Sequence, residues 1–220
     1  MQERVKKSFI YTAILFVVFV VFTICAARVD VKPLGIENTD IGFSTINIAL
    51  KDAIGLNMFW YNLSKYIGYM AFLVIAFFAF LGLSQAISRK SLLKVDKDIY
   101  ALGVFYIFVF ICYFFFEIVI LNYRPWDLGE GPEASFPSSH TLMAVSVFFT
   151  AALQFQIRIK NELAKKICTI GSLVLMVIMV IARFLSGVHW FTDIVGGILI
   201  SAFLISEYLF MISIIRSKEA

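Results

Sequence analysis

The sequence predicts an all-α polytopic membrane protein, a bundle of six transmembrane helices. Of its 220 residues, 61% are hydrophobic and 15% are charged, and the mean hydropathy is +0.90. Soluble domains are about 45–50% apolar and about 25% charged, and a soluble core of this size could not hide the excess apolar surface. The composition therefore excludes a soluble enzyme, a disordered chain and a secreted disulfide scaffold.

Six apolar runs are long enough to cross a bilayer, which requires about 20 residues per helix. The first, Ser8–Ala27, is longer than the ~7–15-residue core of a signal peptide, and no clear cleavage site follows it, so we expect it to remain as an anchor. The other runs are approximately Met58–Ser88, Ile99–Tyr123, Ser138–Ile157, Ile167–Leu185 and Phe191–Ile215. An even number of spans places both termini on the same side of the membrane.

The distribution of basic residues predicts the orientation. The gaps on the side of the termini contain 13 Lys and Arg residues, and the opposite gaps contain four. Because basic residues are retained on the cytoplasmic side, both termini are predicted to be cytoplasmic. The net charge of +4 is thus explained by topology and does not indicate a nucleic-acid partner. Residues 1–220 form a single predicted domain. Its outer segment, about 29–57, mixes apolar and polar residues, which favours an interfacial packing lid over a substrate-specific element.

Charged and polar groups within the runs gather at one level of the membrane. Such groups are costly in a bilayer and by default mark function. They lie at the outer ends of four runs: Glu117 and Arg124 on the third, His140 on the fourth, Arg183 on the fifth, and His189 with Asp193 on the sixth. Each one alone has a structural explanation, as an interhelical contact, a snorkelling side chain or a helix cap. Their convergence at one face instead predicts a functional site there.

The residue types at this level suit phosphoryl chemistry. An arginine guanidinium matches phosphate oxygens and stays charged. Residues Pro137 to His140 indicate a helix start, with Ser138 as the cap and free backbone amides that bind an anion. His189 precedes Asp193 by one helical turn, so the carboxylate can fix the imidazole as nucleophile or base. His140 is then available as the acid for the leaving group.

Three motifs resemble the type 2 phosphatidic acid phosphatase superfamily of integral-membrane lipid phosphatases. The family pattern is Lys, six residues, Arg-Pro; then Pro-Ser-Gly-His; then Ser-Arg, five residues, His, three residues, Asp. This chain has Glu117, six residues, Arg124-Pro125; then Pro137-Ser138-Ser139-His140; then Ala182-Arg183, five residues, His189, three residues, Asp193. Each motif alone is weak evidence, but three in order at the right spacing are specific. Ser139 in place of Gly and Ala182 in place of Ser are small departures.

The resemblance implies a metal-independent lipid phosphatase of the cell membrane, with its active site on the extracytoplasmic side. Its substrate would be a phosphatidate-type lipid or a polyprenyl diphosphate such as undecaprenyl diphosphate. His189 would form a phosphohistidine, Asp193 would orient it, and His140 would protonate the departing lipid oxygen. The expected phosphate-binding groups are Arg124, Arg183, Ser138 and the amides near Ser139. No cofactor and no metal are implied, because the arginines neutralise the phosphoryl charge.

Glu117 is the large departure, since the family has a phosphate-binding Lys at that position. Seven residues make about two helical turns, so Glu117 and Arg124 are expected to share a face of the third run. Glu117 is then a positioning residue that pairs with Arg124 or Arg183, a carboxyl protonated in apolar surroundings, or a group that weakens phosphate affinity. Lys65 could supply the missing cation only if the second run reaches the site.

Three other functions remain open at this stage. One is metal-dependent hydrolysis, with His140, His189, Asp193 and either Glu117 or Glu133 as ligands, although two nearby arginines disfavour a cation site. Another is a non-catalytic binder or transporter of lipid phosphates, which would not need a nucleophile and an acid. The last is phosphotransfer to a second lipid. The acidic residues Asp127, Glu130 and Glu133 are expected to form a solvated loop rather than a functional rim.

Overall fold

The structure, a computed structural model, describes residues 2–35, 38–129 and 131–219, and these form seven α-helices and a small antiparallel hairpin. Glu130 lies outside the described residues. In chain order the elements are α1 (Gln2–Arg28), β1 (Lys32–Leu34), β2 (Thr39–Ile41), α2 (Ser44–Ile54), α3 (Met58–Ser88), a 3-10 turn (Leu92–Lys94), α4 (Lys97–Ile118), α5 (Ser139–Arg158), α6 (Glu162–Leu185) and α7 (Phe191–Glu219). Pro33 lies opposite Asp40 in the hairpin.

Six of the helices, α1 and α3 to α7, are long and apolar enough to cross a membrane. The predicted all-α bundle of six spans is therefore confirmed. α5 is the central helix, because it packs against α3, α4, α6 and α7 and has most of its length buried. Large apolar side chains on the outer faces of α1 and α3, such as Phe9, Leu73 and Phe80, remain exposed. In a membrane protein such a surface is covered by lipid.

The third predicted run is too long by five residues, since α4 ends at Ile118 and not at Tyr123. Residues 119–121 are apolar, so hydropathy alone extends the helix through them. The chain instead turns into a loop closed by backbone pairing. Tyr123 bridges Ala134, the amide of Arg124 donates to the carbonyl of Glu133 (3.1 Å), and the amide of Ser135 donates to the carbonyl of Asn122 (3.0 Å).

The bundle has two ends, the site end and the opposite end, which differ in the helices that begin and end there. At the site end, α1, α4 and α6 end and α3, α5 and α7 begin; at the opposite end, the reverse holds. Asn57, the cap of α3, donates its amide to the carbonyl of Ser186 at 3.0 Å, which joins the start of α3 to the end of α6. Gly187 has φ +69°, and a Cβ there would lie 1.9 Å from the carbonyl oxygen of Gly55. This close approach requires glycine.

Candidate active site

His189 lies between two helices and has a defined tautomer. It is buried in the turn formed by residues 186–190, which joins α6 to α7. Its Nε2 lies 2.5 Å from Nη2 of Arg183. A guanidinium has only donors, so Nε2 is the acceptor and the ring proton is on Nδ1. Burial and the charges of Arg183 and Arg124 hold the pKa of His189 well below its usual range, so the imidazole is neutral and its Nε2 lone pair accepts the hydrogen bond from Arg183.

A serine connects this imidazole to Asp193. Ser135 Oγ lies 3.0 Å from His189 Nδ1 and donates to Asp193 Oδ2 at 2.5 Å. The direct separation between His189 Nδ1 and Asp193 Oδ2 is 3.6 Å, which is longer than a hydrogen bond. The expected contact across one helical turn is therefore replaced by a relay, because His189 precedes the first residue of α7, Phe191.

Other polar groups fix the Asp193 carboxylate in place. The amide of Trp190 donates to Oδ2 at 2.9 Å, and Asn122 Nδ2 donates to Oδ1 at 3.3 Å. Sequence reasoning missed both Ser135 and Asn122. Each lies two residues before a motif residue, Pro137 and Arg124 respectively, and spacing alone does not distinguish either from an ordinary loop residue.

The two arginines reach the site from different elements and are incompletely bonded. Arg183, in the last turn of α6, is fully buried and donates through Nη1 to Ser64 Oγ of α3 at 3.3 Å. Arg124, in the loop after α4, forms an ion pair with Glu133 at 2.8 Å. The Nε atoms of both arginines are buried with no acceptor in the described part of the chain. Because unpaired buried donors are destabilising, two such donors indicate a place for an anion.

The start of α5 supplies further donors, as the sequence predicts. Ser138 caps the helix, since its Oγ accepts from the amide and the hydroxyl of Thr141 at 3.4 and 3.1 Å. The amides of Ser139 and His140 belong to the first turn, where no intrahelical acceptor exists. His140 is half-buried beside α3, and a Cβ at Gly68 would lie 3.3 Å from its Cδ2.

Glu117 does not have the predicted bond to an arginine. It is exposed in the last turn of α4 and lines a small cavity of about 10 Å³ that Ser139 also borders. Within the described residues, no ion pair or hydrogen bond joins it to Arg124 or Arg183. Because α4 ends before Arg124, the two residues do not share a helical face, and Glu133 is the partner of Arg124 instead. Glu133 lies partly exposed in the loop, as expected, and its ion pair with Arg124 is not predicted from the sequence.

The residues considered as metal ligands are not gathered into a site. Among the described residues, no group of three or more His, Cys, Asp and Glu side chains is arranged to hold a metal ion. The second predicted run does reach the site, since α3 contributes Ser64 to Arg183 and Gly68 to the surroundings of His140.

Comparison with known proteins agrees with the family resemblance and with the fold. The sequence profile of the PAP2 superfamily matches residues 115–215. The fold is similar to the crystal structure of a transmembrane PAP2 type phosphatidylglycerolphosphate phosphatase from Bacillus subtilis, with a TM-score of 0.67 and 17% identity over 94% of this chain and 96% of that chain. No curated protein sequence matches the chain significantly. The resemblance inferred from the motifs is confirmed, and the fold is that of a PAP2-type membrane phosphatase.

Proposed function

From this similarity to the PAP2 superfamily, we propose that the protein is a lipid phosphatase acting at the extracytoplasmic face of the cell membrane, through a phosphohistidine. Its substrate class is a lipid phosphate or diphosphate, of the polyprenyl diphosphate or phosphatidate type. One observation carries the proposal: a neutral imidazole, whose Nε2 accepts a hydrogen bond from Arg183, lies beside two buried guanidinium Nε donors that have no acceptor among the described residues.

In the first step, the phosphoryl group binds between the arginines. It accepts the hydrogen bond that Arg183 Nη2 donates to His189 Nε2 in the free site, which releases the Nε2 lone pair. Nε2 of His189 attacks phosphorus as the bond from phosphorus to the leaving-group oxygen breaks. That oxygen is the lipid oxygen in a phosphate monoester and the bridging oxygen in a diphosphate. His140, which carries a proton while the anionic phosphoryl group is bound, gives that proton to the leaving-group oxygen. The phosphorylated ring carries a positive charge, which Asp193 stabilises through the Ser135 hydroxyl.

In the second step, His140 removes a proton from a water molecule as that water attacks phosphorus. The bond between nitrogen and phosphorus breaks, and orthophosphate leaves. Both histidines return to their starting state, so the cycle is balanced without another reactant. The arginines, Ser138 and the free amides at the start of α5 stabilise the charge on the phosphoryl oxygens.

The membrane-facing surface offers space for a lipid tail. A cavity of about 570 Å³ lies between α3 and α4 and is lined almost entirely by apolar side chains, among them Phe78, Leu102 and Phe110. The cavity begins at Ile75 and Phe110 and extends toward the opposite end of the bundle, so only the distal part of a long polyprenyl or acyl chain could be buried there while the headgroup stays at the site end. Its apolar lining suits a lipid substrate.

The test is phosphate release by the detergent-purified protein, with a chelator present, on a polyprenyl diphosphate and on phosphatidate. We expect release to persist in chelator and to fall by at least about 10³-fold in His189→Ala, because the nucleophile is removed. The matched control is Lys165→Gln, a surface change at the opposite end. Acid-labile phosphate bound to the wild-type protein and absent from His189→Ala would support the intermediate.

Other outcomes separate the alternative functions. Binding of either lipid without release would contradict hydrolysis and favour a binder or transporter. Transfer of the phosphoryl group to a second lipid would indicate a phosphotransferase. Activity that chelators abolish would favour the metal-dependent mechanism.

A further inference from the structure

One face of α3 is directed at the active site. Tyr61, Ser64, Lys65 and Gly68 are spaced as i, i+3, i+4 and i+7, the pattern of residues that share one face of a helix. Two of them contact site residues: Ser64 Oγ accepts from Arg183, and Gly68 lies against His140. Lys65 therefore projects from the same face that touches Arg183 on one side and His140 on the other.

An aromatic ring orients Lys65 together with Arg183. The Nζ of Lys65 lies 5.6 Å from the centre of the Tyr61 ring, and Cζ of Arg183 lies 5.8 Å from the same centre. The charges of Lys65, Arg183 and Arg124 all act on the imidazole of His140. The Tyr61 ring is thus shared by two cations that face one site.

Lys65 is half-buried, two helical turns inside an apolar span, and in the described part of the chain no acid pairs with it. A lysine at such a depth is costly unless it has a partner or a function. Snorkelling to the headgroup region would relieve part of that cost. Snorkelling does not, however, explain why the residue shares a face and a ring with the site arginine.

We propose that Lys65 is a phosphate-binding residue of this site, a third cation supplied by α3 together with the guanidinium groups of Arg124 and Arg183. This inference rests on the proposed function. It also explains how the site could bind phosphate although Glu117 replaces the lysine of the family motif. At the end of α4 the chain has an exposed acid without a bond to either arginine, and the positive charge reaches the site from the neighbouring span instead. The ammonium acts as a point charge on the phosphoryl oxygens.

The test compares Lys65→Gln with Lys65→Arg, which keeps the charge, and with Lys165→Gln as the surface control. Lipid phosphate hydrolysis is measured as a function of substrate concentration, together with inhibition by inorganic phosphate. We expect Lys65→Gln to raise both KM and the inhibition constant for phosphate by about tenfold or more, as for the loss of one charge-assisted contact. Lys65→Arg should recover most of both values, and Lys165→Gln should resemble the wild type.

Unchanged KM and phosphate inhibition in Lys65→Gln would overturn the proposal, and so would equal losses in Lys65→Arg and Lys65→Gln. If Lys65→Gln does not fold, as judged by gel filtration and helical circular dichroism, Lys65→Met replaces it with a side chain of similar length. If the wild type hydrolyses neither lipid, binding of inorganic phosphate is followed by the rise in unfolding temperature. A rise in the wild type that Lys65→Gln lacks would support the inference although the proposed function fails, and an equal rise in both would overturn it.

Discussion

The two ends of the bundle each contain an arginine in the last turn of a helix, and the two arginines are bonded very differently. At the opposite end, Arg158 of α5 uses all three nitrogens: Nε donates to Gln154 at 2.7 Å, Nη1 to Asp96 at 2.9 Å and Nη2 to Asp98 at 2.6 Å. At the site end, the hydrogen-bond partners of Arg183 in the described residues are only a hydroxyl and an imidazole, and its Nε has none there.

This difference indicates which end is structural and which is functional. A buried or half-buried cation is stable when acidic partners satisfy it, and such a network holds helices together. A fully buried guanidinium without an acid in the described part of the chain destabilises the folded protein, and a ligand with negative charge removes that cost. We therefore infer that the saturated network of Arg158 serves folding and that, under the proposed function, the unsaturated group around Arg183 serves binding.

The largest expected effect is a loss of activity without a loss of stability in one arginine variant, and the reverse in the other. Arg183→Gln should lower kcat/KM for a lipid phosphate by about 10³-fold, since it removes a donor that stabilises transition-state charge. Its unfolding temperature should be unchanged or higher, because a buried cation without an acidic partner is lost. Arg158→Gln should keep most of the activity and unfold at a lower temperature, by about 2–4 °C for each kcal/mol lost in a chain of this size.

Activity assays and thermal unfolding in the same detergent measure both variants side by side. Lys165→Gln is the control for a surface charge change. The comparison of the two ends fails if Arg183→Gln unfolds as early as Arg158→Gln, or if Arg158→Gln loses as much activity as Arg183→Gln.

The serine relay should give a smaller effect, confined to catalysis. Ser135→Ala removes the hydroxyl between His189 and Asp193, which then lie 3.6 Å apart without a hydrogen bond. We expect kcat to fall by about 10²-fold from the lost orientation of the nucleophile, with KM nearly unchanged. Single-turnover kinetics checks this, and Ser135→Thr, which keeps a hydroxyl, is the matched control. A raised KM with normal kcat would mean that Ser135 binds substrate instead.

The sequence predicts the helices well, and it predicts that the ionic residues of the motifs lie together at one end of the bundle. It predicts the connections between these residues less well. Hydropathy locates all six spans because burial in lipid requires long apolar runs. The motifs bring His189, Asp193 and the arginines to one end. They do not reveal that Ser135 lies between His189 and Asp193, because that contact joins a loop to the start of α7. Likewise, the pairing of Arg124 with Glu133 depends on a loop closure that no local pattern encodes.

The opposite end should also show a dependence of its stability on acid. The hydrogen bond from Arg158, together with that from Arg89, lowers the pKa of Asp96 from 3.8 to about 2. Asp96 therefore stabilises the folded state fully above about pH 4, and this contribution is lost as the pH falls toward 2. Thermal unfolding from pH 6 to pH 2.5 should show a drop that is smaller in Asp96→Asn. Equal drops in both proteins would show that groups other than Asp96 cause the acid sensitivity.

The smallest expected effect concerns Glu133, the one acid among the described residues that is bonded to a site arginine. Glu133 pairs with Arg124 at 2.8 Å and is partly exposed, so a phosphoryl group must compete with a carboxylate for that guanidinium. Glu133→Gln removes the competing charge, and we expect KM for a lipid phosphate to fall by about two- to fivefold, the range of a partly exposed ion pair. Initial rates at low substrate measure this, with Asp127→Asn as the control in the same loop. A higher KM would instead show that Glu133 holds Arg124 in its binding position. An acidic partner would then stabilise an arginine at both ends of the bundle.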